Sequence, residues 1–307
     1  MWQRLSRDDF DKTSDLMGSG ESSRMWHVCE EYELKKLTDA PGGDPDRYFV
    51  VPKYSREPPY FDKWRSYEPL EDTPDLFLKF ARLHGADDKD ETMLAWVRSY
   101  GTLGHGEPLW VSGAPQDAKG FWEAIGQAAG VLALYEAVLN GDSERARSAI
   151  LEEFPYVDRL WQIASESTNK PALIDLEWVS ESTSDRVEEI YGGDYLWYAL
   201  ETATDNVQRK VDSLCSPALT VEEGTRDVSG VRSWWTFKSL LGAMYLQMYW
   251  LMVAGSDLTR CEHCGRLISL ARPNPEGRKR RRDKRFCDDA CRQAHHRSKK
   301  RSADGPS

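Results

Sequence analysis

Residues 234–254 read WWTFKSLLGAMYLQMYWLMVA, a run of 21 in which Lys238 is the only charge. Their reading decides the fold. A stretch this long and apolar is either a helix spanning a bilayer or a helix at the centre of a core, apolar on every side. Trp234, Trp235 and Trp250 near its ends, and a basic stretch after it, fit a span under the positive-inside rule. Lys238, Ser239 and Gln247 within it, and the lack of any second such run, favour the core. The expectation is a buried helix over 234–254, surrounded by the helices before it, with no membrane involved.

Outward from that helix the pattern stays helical back to about residue 75. Leu76, Phe77, Phe80 and Leu83 sit at helical spacing, with Thr73 or Asp75 available as the N-cap. Asp90 precedes a second helix with Met93, Leu94, Trp96 and Val97 on its apolar stripe, ending at Tyr100-Gly101. Residues 119–140, 143–152 and 194–213 read the same way, with Gly141 as a stop. Earlier, Trp26-His27-Val28-Cys29 and Tyr48-Phe49-Val50-Val51 are β-formers on either side of the turn Pro41-Gly42-Gly43-Asp44-Pro45, which predicts a small sheet or hairpin. Residues 58–74, rich in proline and aromatics, read as an ordered connector, and residues 1–24 as an irregular polar lead-in.

The fold class expected is mainly α: a helical body with a small N-terminal β element and a C-terminal treble-clef-like zinc finger. The regions are 1–70, irregular and β-containing; 71–256, helical; 257–301, the finger with a basic helix; and 302–307, a disordered tail. With 40% apolar residues and 12 tryptophans among 307, the chain has ample material for a core and is unlike a disordered one.

Charge divides the chain in two. The net charge is −10, yet residues 260–301 hold 15 Lys and Arg against 5 Asp and Glu, a formal +10, which leaves −20 on the rest. A basic arm for a polyanion on an acidic body is the natural reading.

Four of the six cysteines fall within this arm. Cys261-Glu262-His263-Cys264-Gly265 has the form of a zinc knuckle, two thiols on a tight turn with a glycine where the chain folds back. Cys287 and Cys291 follow after 22 residues, four apart, so a helix would stack them on one face with Asp288 and Asp289 in its first turn. Four thiolates suit a structural Zn²⁺, which takes them tetrahedrally without redox chemistry. The gap can hold Leu267–Arg272 as a strand, a turn over Pro273–Gly277, and a return strand ending at Phe286. His295, one turn beyond Cys291, could replace a cysteine or add an outer contact. The N-terminus, MWQRLSRDDFDKTSD, has no apolar signal region, so a cytoplasmic chain is expected, where clustered cysteines are metal ligands sooner than disulfides.

On a helix over 287–301, Arg292, His296, Lys299 and Lys300 fall between about 120° and 220° from Cys287, opposite the metal. Arg278, Lys279, Arg280, Arg281 and Arg282 in the hairpin turn, with Lys284 and Arg285, add a second basic element. Clustered cations supply salt-sensitive phosphate affinity, and Arg292 and Gln293 are of types that read guanine and adenine edges. Basic tails also bind RNA, pair with an acidic body, or only solvate a small module.

The segments Cys261-Glu-His-Cys264-Gly and Arg285-Phe-Cys287-Asp-Asp-Ala-Cys291-Arg-Gln-Ala-His-His-Arg297 resemble the short C-terminal zinc fingers of bacterial regulatory proteins. They are similar in layout to the CGNR-type fingers that follow an all-helical domain; the resemblance covers residues 258–301. Where that type has Gly-Asn-Arg after its last cysteine, this chain has Arg292-Gln293-Ala294. The resemblance implies a DNA-binding transcription regulator with a helical domain for sensing, partner contact or homodimerisation.

No glycine-rich phosphate loop, His-Glu-x-x-His or Gly-x-Ser-x-Gly occurs, so no catalytic role is expected. Glu33-Leu34-Lys35 with Asp46 has the order of a nuclease set reversed. Glu152-Glu153 and Glu188-Glu189 read as solvated faces, His84 and His105 as isolated, and Gly104-His105-Gly106 as a turn. The function expected is thus a zinc-finger protein that binds nucleic acid, DNA in the first instance. The alternative is an interaction module whose finger docks to a partner or to the acidic body.

Overall fold

The computed structural model describes residues 25–36, 48–54, 59–104, 116–154, 176–221, 231–254, 258–269 and 285–303. Four short strands come first: β1 (Trp26–Cys29), β2 (Tyr32–Lys36), β3 (Tyr48–Pro52) and β4 (Trp64–Tyr67). The two β-forming runs read from the sequence do not pair with each other. β1 pairs antiparallel with β4, and β2 with β3, in a register that sets Leu34 opposite Val50. The strand over 32–36 is mostly charged outside Tyr32 and Leu34, so its apolar signal is thin. Its inward Tyr32 is buried, and the phenol oxygen accepts the Cys29 amide at 3.0 Å.

The helices of the body follow: α1 (Pro69–Asp72), α2 (Leu76–Ala81) running into a 3-10 turn over Arg82–Gly85, and α3 (Lys89–Tyr100). β5 (Gln116–Asp117) extends the β2–β3 sheet and leads straight into α4 (Ala118–Asn140). α5 (Ser143–Ser148) closes in one π turn, Ala149–Glu153; α6 (Leu176–Tyr191) and α7 (Tyr195–Leu214) come next. Aspartate caps four of these helices. Asp88, Asp117, Asp142 and Asp194 each accept backbone N–H groups of the first turn, of Glu91, Gly120, Arg145 and Leu196/Trp197 respectively. An N-cap carboxylate both satisfies an orphan donor and meets the positive end of the helix dipole. The cap of α3 is therefore Asp88; Asp90 lies inside the helix. Gly141 ends α4 in the left-handed region, φ 63°, as its position in the sequence predicted.

The run at 234–254 divides in two. Residues 234–237 complete β7 (Val231–Phe237), which pairs along its length with β6 (Cys215–Val221). Only Leu240–Ala254 form the helix, α8. Trp234, Trp235, Thr236 and Phe237 are strand-formers. Ser239 then starts the helix, its hydroxyl accepting the Gly242 amide at 3.0 Å. α8 is the central helix expected. Leu240, Leu241, Met244, Tyr245, Leu246, Met248 and Leu251 are all buried, against α7, α2, α1 and the β6–β7 hairpin. Gly242 permits the closest approach, since a Cβ there would meet Leu214 Cβ at 2.9 Å and its carbonyl at 3.0 Å. Among the described residues no helix is long and apolar enough to cross a membrane.

The one amide within α8 is fully used. Gln247 donates to the carbonyls of Pro69 (2.9 Å) and Thr73 (2.8 Å) and accepts the Phe77 amide (3.1 Å), tying α8 to α1 and the start of α2. Val28, Tyr32 and Val50 from the strands share one apolar cluster with α2, α4, α7 and α8. The β element is part of the body's core.

Candidate metal centre and basic helix

After α8 come β8 (Leu258–Arg260) and β9 (Leu267–Ser269), an antiparallel hairpin with the Cys261–Cys264 knuckle at its tip. The strand at 267 thus pairs with the residues before the knuckle, and the body of the return strand expected up to Phe286 lies outside the described residues. Phe286 lies outside any strand, and residues 270–284 lie outside those described. The knuckle closes as its spacing requires: the Gly265 amide reaches the Cys261 carbonyl at 2.8 Å, with Gly265 at φ 73°.

The second pair stands on α9 (Asp289–Ala303). Cys287 precedes the helix instead of opening it, and Asp288 is the cap, accepting the Cys291 amide at 2.7 Å. The two cysteines still converge, Sγ to Sγ 3.3 Å, and Cys264 Sγ lies 3.7 Å from Cys287 Sγ. All four sulfurs are within 4.8 Å of one another, and none is in a disulfide. A tetrahedron with metal–sulfur bonds of about 2.3 Å has edges of about 3.8 Å, so the set fits one thiophilic ion.

The electrostatics point the same way. Burial opposes the Cys261 thiolate, but the backbone N–H groups of Cys264, Cys287 and His263 outweigh it and bring that thiol down to about 6. Burial pushes the Cys287 thiol up, and its sulfur neighbours and Asp288 push it further. For Cys291 the bond with Cys287 favours ionisation, yet burial and the sulfurs of Cys264 and Cys261 leave it raised, at about 11. Crowding thus favours the Cys261 thiolate and opposes those of Cys287 and Cys291; a divalent ion would let these two ionise as well.

A clamp holds the two halves of the site together. The Arg285 guanidinium bonds both carboxylate oxygens of Glu262, and the Glu262 amide reaches the Arg285 carbonyl at 2.9 Å. His295 takes no part in the four-sulfur cluster. It sits outside it, its ring 5.1 Å from Phe286 and Nε2 4.0 Å from Glu262. Neither the clamp nor the cap was read from the sequence, although both left a signal: opposite charges beside the two cysteine pairs, and an aspartate three residues before Cys291.

The hairpin is also seated on the body. Leu267 is buried within the body's apolar cluster, its carbonyl accepts Arg82 at 2.5 Å, and Arg260 reaches Asn140 Oδ1 at the end of α4. α9 is seated differently. Cys291, Ala294 and His295 are half-buried, while Arg292, Gln293, His296, Arg297 and Lys299 are exposed. Arg292 forms a local ion pair with Asp289 at 3.0 Å. Of the predicted basic set, the structure brings Arg292, His296 and Lys299 onto the exposed part of one helix and sets Arg285 on Glu262. Lys300 falls within α9, and Arg278, Lys279, Arg280, Arg281, Arg282 and Lys284 lie outside the described residues.

The remaining candidates from the sequence disperse. Glu33 pairs with Lys35, Glu153 with Arg145, and the His84 ring rests 5.2 Å from Phe154. His105 and Asp46 lie outside the described residues. Comparison with protein-family models, with curated proteins and with solved structures gave no match.

Proposed function

We propose that this chain is a zinc-finger nucleic-acid-binding protein, with DNA as the ligand and transcriptional regulation in the cytoplasm as the role. In this reading Zn²⁺ takes Cys261, Cys264, Cys287 and Cys291 and is structural. The hairpin knuckle and α9 form a treble-clef-type finger similar to the CGNR type, and the helical body serves sensing or partner contact. The observation that carries it is that the helix supplying Cys291 also bears Arg292, Arg297 and Lys299 in solvent. Cations on a rigid helix set their phosphate contacts in a fixed register, and the metal would supply the rigidity.

The test is a mobility-shift titration of the full chain on duplex DNA at several salt concentrations. Salt-dependent binding that weakens when Arg297 and Lys299 are changed to Glu supports the reading; no binding at low salt to any duplex or single strand refutes it.

A second reading makes the finger a protein-docking module. The seating of Leu267 and Arg260 against Arg82 and Asn140 favours it, because the finger already makes protein contacts of its own. Those contacts use the hairpin and leave α9 in solvent, so the first reading accounts for more of the site.

A further inference from the structure

Away from the metal centre, the turn between α6 and α7 leaves Ile190, Trp197 and Leu200 in solvent, at 63%, 61% and 40% exposure. Trp197 and Leu200 are three apart on α7, so they share a face. The tryptophan is held in place: its ring meets Tyr191 edge-on at 5.9 Å, Tyr191 packs on Tyr198 at 5.1 Å, and the Tyr191 hydroxyl bonds Glu201. Glu201, which bonds Tyr191, is exposed, as are Glu188 and Glu189 in the last turn of α6 just before Tyr191. A large rigid aromatic on the surface is an unusual expense unless something covers it.

We propose that this face is the docking surface for the basic helix α9 of a second copy of the chain. Charge selects that occupant. If two copies met through this same face, the carboxylates of each would confront those of the other across the symmetry axis. α9 offers the opposite charge, with Arg292, Arg297 and Lys299 in solvent. Its arginines can lie over the Trp197 indole, where a guanidinium is attracted by the ring face, while the glutamates pair with the flanking cations. Among the described side chains of α9 only Cys291, Ala294 and His295 are half-buried, so the basic side of residues 292–299 is open to a neighbour. The contact is head-to-tail: helix of one copy on α6–α7 of the next. The proposal stands without the nucleic-acid reading, since it concerns association of the protein alone.

Sedimentation velocity of the full zinc-loaded chain without nucleic acid tests it. Self-association is expected at low salt and should fade as salt rises. Glu188→Lys with Glu189→Lys should weaken it about tenfold or more. Arg292→Glu with Arg297→Glu should do the same from the other side. A mixture of the two variants retains one native pair of surfaces, α9 of the first and the acidic face of the second, and should form a one-to-one complex. That recovery also shows that both variants are folded. The proposal is overturned by a monomer at every salt concentration, by association unchanged in the Glu188/Glu189 variant, or by a mixture that does not associate. Salt-insensitive association lost in Trp197→Ala would likewise overturn it, pointing to an apolar pairing of identical faces.

Discussion

Arg285 grips Glu262 with two nitrogens across the gap between the knuckle and the second cysteine pair. Glu262 adjoins Cys261 and Arg285 lies two residues from Cys287, both in the four-sulfur cluster, so the clamp sets how closely the two pairs approach. Glu262→Gln or Arg285→Ala should weaken zinc retention about tenfold, in the range seen when the supports of metal ligands are removed. Competition with a chromophoric chelator measures it; unchanged retention in both variants would show that the clamp does not support the site.

Acid should release the metal through the thiols before it opens this clamp. The Arg285 guanidinium holds the Glu262 carboxyl below the usual carboxylate range, so the clamp is complete above that range and is lost only as pH falls through the lowered value. Cys287 and Cys291, with thiols raised in the metal-free site, must give up protons to bind zinc. Affinity should therefore fall steadily as pH falls from neutrality, with about two or more protons released per ion bound near pH 7. Calorimetry in buffers of different ionisation enthalpy counts them. Zinc binding that releases no proton would contradict the assignment of these two ligands.

The six cysteines should react in two classes. Cys29 and Cys215 are buried in the body, and burial pushes the Cys215 thiol up to about 12, which suppresses the reactive thiolate. A thiol reagent should find few groups in the zinc-loaded protein, four after chelation and six in denaturant. Six reactive groups in native, chelated protein would show that the metal holds the body together as well as the finger.

Gln247 is the polar residue on which the central helix depends. Truncation to Ala would strand the Phe77 amide and the Pro69 and Thr73 carbonyls in the core. A loss of roughly 3 kcal/mol is expected, from unpaired buried groups at about 1–3 kcal/mol each. Denaturant unfolding of the full chain measures it, and a loss under about 1 kcal/mol would mean that water replaces the amide.

The four-cysteine cluster and the central helix were legible because each is dictated by a strong local pattern. Thiol spacing marks Cys261, Cys264, Cys287 and Cys291, and continuous apolarity marks Leu240–Ala254. The start of that helix was not legible from apolarity, because Trp234–Phe237 are as apolar as the helix while preferring the extended chain; Ser239, a capping residue, carried the boundary. The strand pairing of 32–36 and the β6–β7 hairpin were missed for a related reason. Lys35, Lys36, Pro217 and Ser216 dilute the β pattern, and long-range partners settle the pairing. The seating of Leu267 on the body had no local signature at all, since Arg82 and Asn140 lie far away in sequence.

The most direct measurement of the central claim is the salt dependence of duplex binding by the full chain, zinc-loaded and after chelation. If zinc holds α9 as the phosphate-binding face, the loaded protein should bind with a logarithmic salt slope of several units, and chelation should abolish binding or flatten the slope. A loaded protein that does not bind at low salt, or a slope that chelation leaves unchanged, would contradict it.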